Sequence, residues 1–314
     1  MPVAVALLGL GRAGSALHLP ALRRIGEARV VAAVDPDAAA RARATAAAVE
    51  ASPDWRRALE PDVDAVLVAT PAETHFELAA EALSAGKHVY VEKPMTTSLA
   101  SARELVRLAQ GSGRTVQVGF AYRYHALWQR VHALAASGLA GRLLRARGRF
   151  AASSDGDGWS APVVDVACHH VDLLSWLASS PPAEVEAPGP GELRARWASG
   201  LELHGSYAHG PVVDDVELEF EGGLVTVDRL GGVRLRGSGL RLGAARLPRP
   251  GLLRARLGGR AWERSFESAL RSFVAAAGAG RPGWPGPEAG LAAVAGGEAT
   301  LRSLASGRAE RVEP

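Results

Sequence analysis

The chain has 314 residues, 47% of them hydrophobic and 22% charged, with a formal net charge of +3. These are the proportions of a soluble globular protein with one large or two ordinary domains. The 36 basic side chains are scattered without a run of five, so a nucleic-acid or membrane-surface partner is not suggested. The single cysteine, Cys168, excludes an intramolecular disulfide and fits a reducing compartment. MPVAVALLGLGRAG has no basic segment before its apolar run and is broken by glycines, so it reads as a strand, not a signal peptide. With no apolar stretch of 18 residues, the expectation is a cytoplasmic chain with no membrane contact.

Strand and helix patterns alternate over the first 120 residues. VAVALLG (3–9) is continuously apolar, as in a parallel strand buried on both faces, and a helix pattern follows from Ala13 to about Ile25. ARVVAAVD (28–35), AVLVAT (65–70), HVYVE (88–92) and TVQVGF (115–120) are the next strands. Helices are predicted at about 37–50, 76–85 (with Gly86 as C-cap) and 98–110 between them. This alternation predicts parallel βαβ units. After Phe120 the pattern changes: a helix at 125–137, a strand at 142–151, and a Gly/Asp/Ser loop at 153–160. A helix from Val163 to Ala178 follows, then short alternating runs over 184–236 that read as an antiparallel meander. Residues 237–260 are ambiguous, and two helices, at 262–280 and 287–306, flank the breaker PGWPGP. The domain plan is a nucleotide-binding domain over 1–120 and an α+β domain over 121–314, an α/β protein whose second sheet is large and mostly antiparallel.

Gly9-Leu10-Gly11-Arg12-Ala13-Gly14 matches GxGxxG between the first strand and the first helix, the context the dinucleotide fingerprint needs. Gly9 allows the tight turn, Gly11 the approach of a pyrophosphate, and Gly14 close helix–sheet packing, with the helix N-terminus favouring negative charge. Asp35 closes the second strand, where a carboxylate accepts from a ribose. With Asp37 beside it a 2′-phosphate would be repelled, which favours NAD over NADP. The plain alternative is a structural glycine turn.

Three stretches sit at the carboxyl ends of later strands: Thr70-Pro71, Glu92-Lys93-Pro94 and Gly119 to Arg123. Only Lys87 and Lys93 are lysines; every other cation among the 36 is arginine. Lys93 is read either as half of a surface ion pair or as an ammonium that polarises a substrate oxygen. In the predicted helix at 163–178, Asp165, His169 and Asp172 fall on one face. That face is either a solvated stripe or a proton-transfer histidine with a nearby carboxylate. Cys168, His169 and His170 are adjacent but point in different directions and lack metal-ligand spacing, so no metal is expected.

The stretches GLGRAG, VATPAETHFELAAEALSAGKHVYVEKPM, VGFAYRY and DVACHHVDLLSWL, in this order, together with the closing helices, resemble the Gfo/Idh/MocA oxidoreductases over nearly the whole chain. The resemblance implies a Rossmann domain followed by a domain whose open sheet often forms a homodimer or homotetramer interface. It implies NAD as cofactor and, as substrate, a polyhydroxylated small molecule such as a sugar, an inositol or a nucleotide sugar. It implies Lys93, Asp165 and His169 as the catalytic trio: His169 as base, Lys93 orienting the substrate oxygen, and Asp165 holding substrate or the other two. Thr70, Pro71, His75 and Glu92 match cofactor-lining positions, with Arg12 and Ala13 in the loop, while Arg123 and Trp159 lie near nicotinamide or substrate. The chain departs from the pattern at Ala72, at Ala161 to Val164 and at Ala167, which leaves the substrate open. Two other uses of the scaffold stay in view, a cofactor-sensing regulator and an NAD-dependent glycosidase.

Overall fold

The computed structural model describes residues 1–46, 48–152, 167–209, 213–228, 232–236 and 260–314. The chain forms two compact units, Met1–Tyr124 with Glu263–Val294, and His125–Trp262 with Ala295–Pro314. The first boundary lies four residues beyond the expected 120. The return of the chain to the first unit at Glu263 was not anticipated.

In the first unit the strands are β1 (Val3–Leu8), β2 (Ala28–Val34), β3 (Ala51–Ser52), β4 (Ala65–Val68), β5 (His88–Val91) and β6 (Val116–Val118). They form one parallel sheet in the order β3-β2-β1-β4-β5-β6, the doubly wound arrangement. Alternation along β1 explains the continuous apolar run. Ala4, Ala6 and Leu8 enter the core on one face, and Val3, Val5 and Leu7 the core on the other. Helices His75–Ser84 and Leu99–Ser112 cover the first face through Leu78, Ala82, Ala102 and Leu105. The second face is covered by Leu19 and Leu22 and by the late helix Arg260–Gly278, whose Ala269, Leu270, Phe273 and Val274 are buried against it. That burial is why residues from 263 onward belong to the first unit. Burying a side chain of the size of Phe273 is worth about 1.5–3 kcal/mol in transfer free energy alone.

The PGWPGP segment does more than end a helix. The Val118 N–H donates to the Pro285 carbonyl (2.9 Å), and a Cβ at Gly283 would collide with the Val116 carbonyl. Thr115 donates to Arg281 O (2.7 Å) and Gln117 to Ala269 O (2.9 Å). The free edge of β6 is therefore sealed.

The second unit holds β7 (Leu143–Ala152), β8 (Glu184–Gly189), β9 (Glu192–Arg196), β10 (Glu202–His209), β11 (Val213–Phe220), β12 (Gly223–Asp228), β13 (Gly232–Arg236) and β14 (Glu310–Arg311). Their order is β13-β12-β11-β7-β10-β9-β8-β14. The expected simple meander is corrected here: β7 inserts between β10 and β11 and runs parallel to β10, so the sheet is mixed though mostly antiparallel. One face is apolar, through Ala146, Phe150, Leu203, Tyr207, Val216 and Leu218. The other carries cross-strand pairs, Arg149–Asp215 (2.6 Å), Arg147–Glu217 (3.2 Å), Arg145–Glu219 (3.4 Å) and Arg194–Glu186 (3.1 Å). These exposed pairs add little stability each. They do fix register, because a one-residue slip would put arginines into the core. Among the described residues no helix is long and apolar enough to cross a membrane.

Candidate functional site

The loop after β1 is built around its glycines. Gly9 has φ +90, and a Cβ there would overlap the Ala69 carbonyl. A Cβ on Gly14 would overlap the carbonyl oxygen of Gly9, whereas one on Gly11 meets no atom within 4 Å. Gly9 and Gly14 are thus fixed by the chain's own backbone, while Gly11 faces open space. This is the cradle a pyrophosphate requires, so the residues present fit a dinucleotide. Residues 12–22 are helical, with a wider π turn over Gly14–His18. Arg12 is exposed and Ala13 half-buried at its start.

Asp35, at the end of β2, is joined to this loop. Its Oδ2 accepts from the Leu10 N–H (2.7 Å) and its Oδ1 from the Asp37 N–H (2.8 Å). Each carboxylate oxygen retains a further acceptor position for a ribose hydroxyl. Asp37 itself accepts from the Ala39 N–H (3.0 Å) at the start of the next helix, and Arg41 donates to the carbonyls of Asp35 and Pro36, each at 2.8 Å. The carboxylates therefore shape the loop as well as setting its charge.

At the end of β4, the Thr70 Oγ1 and Thr74 Oγ1 are 2.7 Å apart, and Pro71 is exposed beside them. His75 is 1% exposed. Its Nε2 lies 2.9 Å from Thr70 O and its Nδ1 2.8 Å from Pro94 O, so the ring ties the end of β4 to the turn after β5.

That turn carries Glu92 and Lys93, with a cis Lys93–Pro94 peptide. Lys93 is half-buried and its N–H donates to Glu92 Oε2 (3.1 Å). Glu92 Oε1 meets His18 Nε2 at 2.8 Å, and His18 is fully buried. Burial pushes the Glu92 carboxyl up, but the hydrogen bond and charge of His18 and the Lys93 ammonium outweigh it, holding it below the ordinary carboxylate range. The surface ion-pair reading of Glu92–Lys93 is thereby corrected, since Glu92 is 9% exposed. His18 was missed from the sequence. The signal was present: a histidine among Leu19, Ala21 and Leu22 on a buried helix face needs a partner.

Arg123 is buried on the turn Ala121–Tyr124, with its guanidinium 5.9 Å from the Phe120 ring and 5.8 Å from the Trp284 ring. Lys87 is buried as well, its Nζ donating to Glu60 O and Val63 O, each at 2.8 Å.

In the second unit, Asp165 and Trp159 lie outside the described residues, as do Ala161 to Val164 and 237–259. The described helix begins at Ala167. His169 is half-buried with its ring 5.5 Å from that of Phe150, and Asp172 is 4% exposed. The face holding His169 and Asp172 is therefore not a solvated stripe. His170 is buried, with Nε2 3.2 Å from Asp214 Oδ1 and Nδ1 3.4 Å from the Tyr207 hydroxyl. Gly148 makes room for it, since a Cβ there would stand 2.5 Å from His170 Nδ1. Among the described residues no group of three or more His, Cys, Asp or Glu side chains is placed to hold a metal.

Residues 3–120 match the model of an oxidoreductase family with an NAD-binding Rossmann fold. The inositol 2-dehydrogenase of Leifsonia xyli subsp. xyli is 35% identical over 58% of this chain and 56% of its own length. In that match the chain spans little more than half of the curated relative. The inositol 2-dehydrogenase of Pseudomonas fluorescens is 28% identical over 98% of this chain and 96% of its own. Among solved structures, GenD2 from gentamicin A biosynthesis, in complex with NAD, superposes with a TM-score of 0.82 at 26% identity. That match covers 100% of this chain and 97% of GenD2.

Proposed function

We propose that this chain, whose residues 3–120 match the model of an oxidoreductase family with an NAD-binding Rossmann fold, is a Gfo/Idh/MocA oxidoreductase that interconverts a secondary alcohol and a ketone on a polyhydroxylated small molecule of the sugar, inositol or nucleotide-sugar kind. The observation that carries this reading is Lys93. An ammonium stands at the carboxyl end of β5, beside a buried carboxylate kept ionised, in the same sheet whose β1 ends in the glycine cradle.

Bound NAD would supply the hydride acceptor, held by Gly9, Gly11, Arg12, Ala13, Gly14 and Asp35, with Thr70, Pro71, His75 and Glu92 shaping the nicotinamide end. Lys93 donates to the substrate oxygen and stabilises the negative charge that develops there. His169 takes the hydroxyl proton as general base, and Asp165 holds substrate or orients the other two. Arg123 and Trp159 contribute to substrate contact. The chain acts as a homodimer or homotetramer, which light scattering on the intact chain reads directly.

The test is a panel of inositols, sugars, nucleotide sugars and glycosides offered with NAD and followed at the NADH absorbance. NADH formation with at least one free polyol is expected. Tight NAD binding without turnover on any member overturns the dehydrogenase reading in favour of a cofactor-sensing regulator, and glycoside cleavage without net NADH favours a glycosidase.

A further inference from the structure

We infer that His18 is a positioning residue for Lys93, acting through the buried carboxylate of Glu92. This rests on the reading of Lys93 as the group that meets the substrate oxygen.

Three elements converge on one carboxylate. His18, from the helical stretch that opens at the glycine cradle, takes Glu92 Oε1 at 2.8 Å. The Lys93 backbone N–H takes Oε2 at 3.1 Å. Gly119, just past β6, leaves the space, since a Cβ there would lie 2.8 Å from the Glu92 carboxyl carbon. His18 is in turn wedged edge-on between two rings, Tyr90 (centroids 5.7 Å apart) and Phe266 (5.6 Å). A histidine held this firmly gives Glu92 one orientation, and Glu92 gives the first peptide N–H of the Lys-Pro turn one position. Among the described residues the titratable groups facing Glu92 are His18, Lys93 and Tyr90.

The arrangement is also electrostatic. A carboxylate this buried persists as an anion only while it is hydrogen-bonded and charge-compensated. Without His18 it loses a hydrogen bond and a compensating charge, and it takes up a proton. Lys93 then loses the anion beside its ammonium, and its backbone N–H meets a neutral carboxyl that His18 no longer holds in one orientation. The helix that presents its N-terminus to the dinucleotide thus also sets the aim and charge of the lysine. No catalytic contact by His18 is involved.

The two-lysine composition makes this directly measurable. Protein grown with 13Cε-lysine carries two lysine signals, and Lys93→Arg assigns them. In His18→Leu the Lys93 titration midpoint is expected to move to lower pH while Lys87, held by two carbonyls, stays in place. NAD affinity is expected to stay near wild type, and kcat to fall about 100-fold, the scale of an ångström-level misplacement. His18→Gln, whose amide still donates to Glu92, is expected to restore most of both losses.

If His18→Leu does not fold, Glu92→Gln, of the same shape and without the charge, is expected to move the Lys93 midpoint the same way. An unmoved Lys93 signal in His18→Leu, or in Glu92→Gln where that variant stands in, overturns the inference whatever the activity. Absence of turnover in the wild-type chain overturns the dehydrogenase reading alone, and the lysine signals then still decide the role of His18.

Discussion

Lys93→Met lowers kcat by about 10²–10³-fold, the cost of losing one preorganised donor to a developing oxyanion, while NAD still binds. Methionine keeps the unbranched stem and removes only the ammonium. The backbone N–H that donates to Glu92 is untouched, so the turn is expected to keep its shape. Lys93→Arg is expected to fail as well, because a broad planar guanidinium does not replace a compact ammonium at a fixed point. Steady-state kinetics with the best substrate of the panel, beside NAD titration by fluorescence, check both variants. Near-full activity in Lys93→Met removes Lys93 from the reaction.

Alanine at two neighbouring glycines separates the needs of the fold from those of the cofactor. Gly14→Ala drives a Cβ into the carbonyl oxygen of Gly9, a backbone atom that cannot swing away. Overpacking against backbone is expected to cost upwards of about 3 kcal/mol, seen as a lower Tm and poor folded yield. Gly11→Ala meets nothing in the chain, so its Tm is expected to hold. Its methyl stands where a pyrophosphate must approach, and NAD affinity is expected to fall by more than about tenfold, or about 1.4 kcal/mol. Thermal melts with and without NAD read both variants. Unchanged NAD affinity in Gly11→Ala would contradict the assignment of this loop.

The parallel half of the fold was legible because its physics is local. Continuous apolar runs mark strands buried on both faces, and Gly86, with φ +74 just after the helix His75–Ser84, falls where a left-handed residue ends a helix. The helix expected to stop near Gly111 runs instead to Ser112 and is capped by Gly113 in the left-handed conformation (φ +63). Two glycines so close give the same local signal. β3 and β14, two residues each, carry no pattern to read. The place of β7 beside β10 depends on pairing across more than fifty residues, which periodicity does not encode.

At the site, GxGxxG and Glu-Lys-Pro were visible as motifs, and the resemblance supplied the roles given to the histidine helix. That His18 needs a partner is legible from its apolar neighbours, but which partner is not, because Glu92 lies 74 residues away. Lys87, just past the helix-ending Gly86, holds two loop carbonyls from within the structure, a task for which a small ammonium is suited.

The late helix Arg260–Gly278 has a consequence for synthesis. As the chain leaves the ribosome, residues 1–124 present a parallel sheet whose second face lacks Leu270, Phe273 and Val274. Leu19 and Leu22 cover only part of that face, and the rest stays open until the chain has emerged as far as Val274. The nucleotide-binding half therefore cannot mature in N-to-C order as a freestanding module. A gene truncated after Tyr124 encodes an unfinished core and not a minimal dinucleotide-binding protein.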